Sequence, residues 1–197
     1  MLRTTQILWS RSGGVFITNG FEEVIVPAIW EQQTFIDKAG PEIVSQMWAF
    51  NDKGDRPVCL IPEVTGVIQE TWRDSWSKYK KAPYKIFYVS RCYRYEKPQA
   101  GRYREFTQLG VEILGPKPTD YREEAVASLQ KVLSSFDSLQ YTLNTSVKRG
   151  LSYYIEDGFE ASVEALGAQK QIAGGGSYAE GCGWAIGVDR LLLALGE

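Results

Sequence analysis

Residues 91–115 constrain this chain more than any other stretch, because they join two strand-forming runs through a loop that holds most of the local charge. Tyr84-Lys85-Ile86-Phe87-Tyr88-Val89 is β-branched and aromatic, as a pleated, half-buried strand favours. Pro98 and Gly101 fall in the connection, where neither interrupts a ladder. Phe106, Gln108, Val111 and Glu112 belong to a strand that returns beside the first, so the pattern predicts a hairpin. Between Arg91 and Arg104 stand five cations (Arg91, Arg94, Lys97, Arg102, Arg104) and one anion, Glu96, in a chain of net charge −2. Forked Arg donors held on a strand suit phosphate oxygens. A solvated basic hairpin is the plainer alternative.

Composition narrows the chemistry. A chain of 197 residues, 44% hydrophobic, is long enough for one domain burying roughly 70% of its unfolded surface. No apolar leader is evident, and no run approaches the roughly 18 apolar residues of a membrane helix. A soluble, cytoplasmic protein without membrane contact is expected. Cys59, Cys92 and Cys182 are widely spaced and form no Cys-x-x-Cys pair, so buried free thiols are expected rather than disulfides or a metal knuckle. Histidine is absent. Any chemistry must therefore rest on Arg, carboxylates, Tyr, backbone donors or a bound cation.

Along the chain, residues 1–18 read as a helix broken at Gly13-Gly14, and Gly20 to Pro27 as a strand closed by proline, with a short helix running on to Lys38. Met47–Phe50 and Pro57–Ile61 flank a polar turn. Val67, Ile68, Thr71, Trp72 and Trp76 recur at helical spacing behind Glu63 and Thr65, which could serve only to cap that helix. Thr119–Phe136 is an amphipathic helix with Thr119 or Asp120 as cap, Leu139–Thr145 a strand, and Gly174-Gly175-Gly176 the end of another. Gly183–Leu195 is a strand turning into an apolar helix. Arg190 in that helix's first turn opposes the helix dipole, a conflict that a phosphate at the helix end would remove.

Arg94-Tyr95-Glu96, the Pro-Gln-x-Gly-Arg-Tyr-Arg loop and Phe106-Thr107-Gln108-Leu109-Gly110-Val111-Glu112 closely resemble motif 2 of the class II aminoacyl-tRNA synthetases in its histidyl form. Residues of about 20–31 resemble motif 1, a strand at a dimer interface, and residues of about 183–195 resemble motif 3, with Asp189 in place of Glu. Glu63 and Thr65 match the family's Pro-Glu-Gly-Thr, with Val64 for Gly. Arg149-Gly150-Leu151-Ser152-Tyr153-Tyr154 resembles a histidine-binding signature that has Asp at the Ser152 position. Ser177 and Ala179 also depart from the pattern that usually follows Gly-Gly-Gly. The tRNA-contacting insertion expected before Arg149 is missing, and the C-terminal anticodon-binding domain is likewise expected to be absent.

The resemblance implies an α+β fold in a single domain over 1–197, an antiparallel β-sheet flanked by helices, working as a homodimer. It implies attack of an amino-acid carboxylate, that of histidine first, on the α-phosphate of ATP, with tRNA as an acceptor held weakly at its acceptor end by the hairpin and the Lys78-Lys80-Lys81-Lys85 stretch. Arg94 and Arg149 would hold the α-phosphate and Arg190 the γ-phosphate, with Glu96, Arg102 and Gly176 also at the nucleotide. Glu63, Thr65 and Gln108 would take the ammonium group, and Glu112 with Tyr154, beside Tyr153, the imidazole. Mg²⁺ is expected on the phosphate oxygens, held partly by Glu112 or water rather than by a dedicated protein site. Two alternatives remain: a non-catalytic paralogue such as an ATP phosphoribosyltransferase regulatory subunit, and an adenylating ligase with an acceptor other than tRNA.

Overall fold

The computed structural model describes residues 14–38, 40–148, 150–167 and 169–196. In chain order the elements are α1 (Gly14–Thr18), β1 (Glu22–Glu23), β2 (Ile29–Glu31), α2 (Gln32–Lys38), α3 (Gly40–Ser45), β3 (Trp48–Asn51), β4 (Pro57–Leu60), α4 (Thr65–Asp74), β5 (Tyr84–Tyr93), β6 (Glu105–Leu114), α5 (Arg122–Leu133), β7 (Thr142–Val147), β8 (Gly158–Ser162), β9 (Gln171–Tyr178), β10 (Gly181–Gly187) and α6 (Val188–Leu195). The helix expected over 1–18 is seen only as α1, since residues 1–13 lie outside the described ones.

Seven strands form the main sheet in the order β1-β5-β6-β10-β9-β8-β7, antiparallel except where β1 joins β5. The β5–β6 hairpin is its spine, in register from Tyr84 opposite Leu114 to Tyr93 opposite Glu105. Strand alternation then sorts the side chains. Phe87, Leu109, Val111, Ile113, Trp184 and Ile186 face a core closed by α5 and α6. Ile86, Tyr88, Cys92 and Leu114 face a second core closed by α2 and α4. A smaller sheet, β2-β4-β3, carries the chain into α4.

Several expectations shift. The stretch 20–27 forms only the two-residue β1, because after Val24, whose N–H reaches the Phe87 carbonyl, the chain leaves the main sheet and enters the small one at Ile29. Phe21 is buried, while Val24, Val26 and Trp30 are half-buried against the second core. Ile25 (91% exposed), Ile29, Ile36, Trp48 and Phe50 are exposed in this part of the chain. A 3₁₀ turn at Pro118–Tyr121 precedes α5, whose cap residue is Tyr121, and neither Thr119 nor Asp120 caps it. The strand expected at 139–145 sits at 142–147. Gly174–Gly176 lie inside β9 and not at its end. There the missing side chains are needed: a Cβ at Gly175 would strike the Gly183 carbonyl, Phe159 and Trp184. All three cysteines are buried and free.

Across from β9, Gly183 pairs with Glu112 of β6, and a Cβ there would collide with the Glu112 carboxylate and the Val111 carbonyl. Gly183→Ala is therefore expected to destabilise the fold by about 1–3 kcal/mol, the usual range for overpacking, read as a lower midpoint in urea unfolding. A midpoint equal to the parent's would show that the sheet yields more easily than this close approach implies.

Candidate active site

One cleft of about 630 Å³ opens on the face of the main sheet that carries the second core. Its floor comes from alternate residues of the central strands, Phe106 and Gln108 on β6, Gly174 on β9, and Ala185 and Gly187 on β10. The start of α4 closes one end and the start of α6 the other. The 150–154 loop and the β5–β6 connection form the walls.

At the α4 end, Glu63 is 3% exposed and its Oε1 accepts the Gly66 N–H at 2.8 Å. The helix-capping and ligand-facing readings of Glu63 therefore meet in one carboxylate, since it also lines the cleft. Burial raises its pKa, opposed by the Gly66 N–H, the Arg94 charge, the Thr65 N–H and the Tyr153 hydroxyl. Thr65, Gln108, Tyr153 and Tyr154 line the same end, with the two tyrosine rings 4.6 Å apart. Gln108 Oε1 accepts from the Cys92 thiol at 3.2 Å.

Cations line the cleft from Arg94, beside Glu63, to Arg190 at the start of α6. Arg94 is anchored by Nε to the Pro62 carbonyl at 2.9 Å and lies 5.2 Å from the centre of the Phe106 ring. Arg190 stands in the first turn of α6, as the sequence predicts, with Nη1 on Gln169 Oε1 at 3.2 Å. Burial lowers its pKa, helped by the like charge of Arg102 and offset by Glu160. Arg102 pairs with the buried carboxylate of Glu96. Two guanidiniums repelling each other in a half-buried cleft are what an anionic ligand would relieve.

Two expected site residues fall elsewhere. Glu112 is 0% exposed and lies beneath the cleft, its Oε1 taking the Thr65 hydroxyl and its Oε2 the Tyr178 hydroxyl, each at 2.7 Å. The alternation that puts Gln108 in the floor carries Glu112 onward under α4, and it is not among the residues that line the cleft. Gly176 is likewise displaced from the nucleotide end, because a Cβ on it would meet the Tyr154 ring at 2.8 Å. Arg149 lies outside the described residues. Val64, the departure from Gly, is buried in the second core and does not narrow the cleft.

The sequence reading missed Phe106, Glu160, Gln169 and Asp189, all of which line the cleft. Phe106 was legible, for it shares the two-residue alternation of Gln108 and Glu112. Asp189 accepts the Thr107 N–H at 2.8 Å, tying α6 to the hairpin. The lysines expected to offer positive surface are largely engaged: Lys78 with the Asp74 carbonyl, Lys80 with Glu22 and Lys85 with Glu124. Among the described residues no three His, Cys, Asp or Glu side chains cluster to hold a metal ion. Glu96, Glu160 and Asp189 are carboxylates that do line the cleft, and a Mg²⁺ ion carried by a nucleotide needs only one or two such groups beside phosphate and water. No helix among the described residues is long and apolar enough to cross a membrane.

Residues 48–180 match the family described as the tRNA synthetase class II core domain (G, H, P, S and T). The chain belongs to this family. Among curated relatives of this class II core are the histidine–tRNA ligases of Methanocorpusculum labreanum, 27% identical over 284 residues, and of Pyrococcus abyssi, 38% identical over 130. The chain takes part with 93% and 66% of its own length and spans 69% and 30% of theirs. The first alignment is longer than this chain, so that relative carries additional residues inside the aligned span. Structural similarity confirms the class II fold: apo histidyl-tRNA synthetase of S. aureus superposes with TM-score 0.77 at 24% identity, covering 99% of this chain and 66% of that one. An ATP phosphoribosyltransferase regulatory subunit/histidyl-tRNA synthetase from Bacillus halodurans C superposes with 0.82 at 14%, covering 98% and 79%. The core is thus histidine–tRNA ligase-like, with an antiparallel-dominated sheet flanked by helices.

Glu112 also sets a pH response. Burial raises its pKa to about 8 from an ordinary 4.5, against the Tyr178 and Thr65 hydroxyls. Between those values the folded chain keeps a proton that the unfolded chain has shed, so stability falls as pH rises through this window. Burial shifts Glu63 in the same direction. Glu22 and Asp52, whose pKa values are lowered chiefly by Lys80 and Arg56, act below it. Urea midpoints should therefore fall from pH 5 to pH 8, and Glu112→Gln should flatten the slope. An unchanged slope in that variant would place the titrating group elsewhere.

Proposed function

We propose that this domain activates an amino acid, histidine as first candidate, by joining it to the α-phosphate of ATP with release of pyrophosphate, and that tRNA is the acceptor. The observation that carries this reading is the charge layout of the cleft: buried Glu63 and Thr65 at one end with Arg94 beside them, and Arg102 in the hairpin connection and Arg190 at the start of α6. An amino acid lying between them would point its ammonium at the carboxylate end and its carboxylate at the guanidiniums. Both reactants are anionic at the point of attack, so the protein's work is to align them and stabilise charge; no covalent nucleophile is required.

In this reading Glu63, Thr65 and Gln108 hold the ammonium and Tyr153 and Tyr154 border the amino-acid side chain. Arg94 holds the α-phosphate, with Arg149 approaching from the amino-acid side, and Arg190 holds the γ-phosphate. Phe106, 5.2 Å from the Arg94 guanidinium, offers a ring face to adenine beside Glu96. Arg102 exchanges Glu96 for a phosphate oxygen when nucleotide enters. Glu160 and Asp189 in the cleft lining would face a Mg²⁺ ion brought in with the nucleotide, which would supply neutralisation of phosphate charge. The whole of 1–197 acts as one catalytic domain in the cytoplasm. Acceptor RNA is held at its end only, since the lysines of the 78–85 stretch are mostly paired.

A second reading has one observation in its favour, the TM-score of 0.82 to the ATP phosphoribosyltransferase regulatory subunit/histidyl-tRNA synthetase from Bacillus halodurans C. Retention of the cleft arginines favours activation, because a sensor of a free amino acid needs no grip on three phosphates.

Histidine-dependent exchange of pyrophosphate into ATP tests the proposal. Exchange is expected in the parent, and Arg190→Ala is expected to reduce kcat/KM by about 10²-fold or more, the scale for losing a transition-state charge contact, with an unchanged melting curve. No exchange with any amino acid, together with no measurable binding of ATP or histidine, would pass the lead to the regulatory reading.

We further propose that two copies pair through the face of the small sheet where Ile29 and Trp48 flank Leu60 and Phe50 lies two residues on, with exposed Ile25 on the approach to β2, since side chains this apolar are rarely left in water. Sedimentation should give a dimer at micromolar concentration, and Ile25→Glu with Phe50→Glu should give a monomer. A parent that sediments as a monomer would end this claim.

A further inference from the structure

We propose that Gln169 is a positioning residue for the phosphate end of the cleft: its neutral amide holds the Arg190 guanidinium in place for the terminal phosphate of a nucleotide without cancelling the guanidinium's charge. This rests on the activating reading above and adds to it a residue that lies outside the three motifs.

Three influences push Arg190 away from where it stands. It occupies the first turn of α6, at the positive end of the helix dipole. Burial in the cleft wall disfavours its charged form, and Arg102 adds a like charge; together they outweigh the opposite charge of Glu160. An arginine has the freedom to respond, since its long stem can swing the head into water. Here the stem is bounded on one side by the hairpin connection, where a Cβ on Gly101 would come within 3.3 Å of Arg190 Cγ. The head is met by Gln169, whose Oε1 accepts from Nη1 at 3.2 Å.

Gln169 is carried by a connection that is itself fixed. Between β8 and β9 the Val163 N–H closes on the Lys170 carbonyl at 2.8 Å, and Gly167, at φ +69°, makes a left-handed turn that a side chain would strain. A 3₁₀ turn at Glu164–Leu166 packs on α6, where Leu166 joins Leu192 and Leu195 against the first core. The loop and the helix that bear the two partners are thus held together independently of the hydrogen bond between them. That the partner is neutral matters. A carboxylate in its place would grip the guanidinium more strongly, but it would cancel the charge and repel an arriving phosphate. Lys170, the next residue along, also borders the cleft, but its ammonium pairs with Glu164.

The parent, Gln169→Ala and Gln169→Glu, each as the full chain, are compared by histidine-dependent pyrophosphate exchange and by calorimetric titration with ATP. Gln169→Ala should weaken ATP about tenfold in both measurements, the scale for one hydrogen bond to a charged group, and leave KM for histidine within about twofold of the parent. Gln169→Glu keeps the length and the acceptor oxygen but adds a negative charge. It should weaken ATP further than Gln169→Ala does, by an excess that shrinks in high salt. If Gln169→Ala does not give a parental melting curve, Gln169→Asn, neutral but one methylene short, takes its place. ATP bound by Gln169→Glu as tightly as by Gln169→Ala, or more tightly, would show that Gln169 serves the frame alone. That result, unchanged ATP affinity in Gln169→Ala, or equal losses for histidine and ATP would each overturn this inference and leave the activating reading standing. A parent that neither exchanges nor binds ATP would overturn that reading and the role of Gln169 with it.

Discussion

Close approach across the main sheet is the constraint on which the rest depends. Gly110, Gly176 and Gly183 share the face that carries the cleft, and each leaves room that another group fills: Tyr88, Tyr154 and Glu112 respectively. With side chains there, α4 and the 150–154 loop could not come down on the sheet, and Glu63, Thr65, Tyr153 and Tyr154 would not meet. The glycines cost strand propensity. That cost is offset by the long β5–β6 register and by two apolar cores, one on each face.

Features encoded locally were legible in the sequence. The β5–β6 hairpin follows from its own alternation and loop residues, and the β10–α6 turn from a glycine followed by an apolar helix; both appear where expected, and with them Arg94, Arg102 and Arg190 in one cleft. What was not legible depends on contacts between distant segments. That Glu112 lies under α4 requires knowing that Thr65, 47 positions earlier, sits above it. Nor does the local run Lys78–Lys85 reveal that Glu22 and Glu124 engage two of its lysines. The short β1 was misjudged for a related reason: Val24 to Pro27 have the residues of a strand, but the chain departs to the smaller sheet and leaves the ladder.

Charge is arranged so that stability and ligand binding pull apart. Arg102 and Arg190 disfavour each other, Glu96 is buried beside Arg102, and Glu63 is held in a site that raises its pKa. None of these is a strong contribution to folding, since a buried or half-buried charge recovers its desolvation cost only with good partners. A domain that keeps such groups in a cleft gives up stability that an anionic and cationic ligand can restore, the usual condition of a binding site.

The departures from the synthetase pattern bear on how far the likeness reaches. Ser152 stands where an acid is usual, and its hydroxyl donates to the Lys38 carbonyl at the end of α2 at 2.7 Å. Ser177 donates to Glu156 at 2.6 Å, which Arg122 also meets, tying β9 to α5. Val64 packs into the second core. Asp189, shorter than Glu by one methylene, still reaches the Thr107 N–H. Three of these four positions thus serve the frame around the cleft and stand outside its lining, and the fourth fastens the helix that bears Arg190. Substitutions of this kind alter how firmly the walls are held while leaving Glu63, Arg94, Arg102 and Arg190 in the cleft lining.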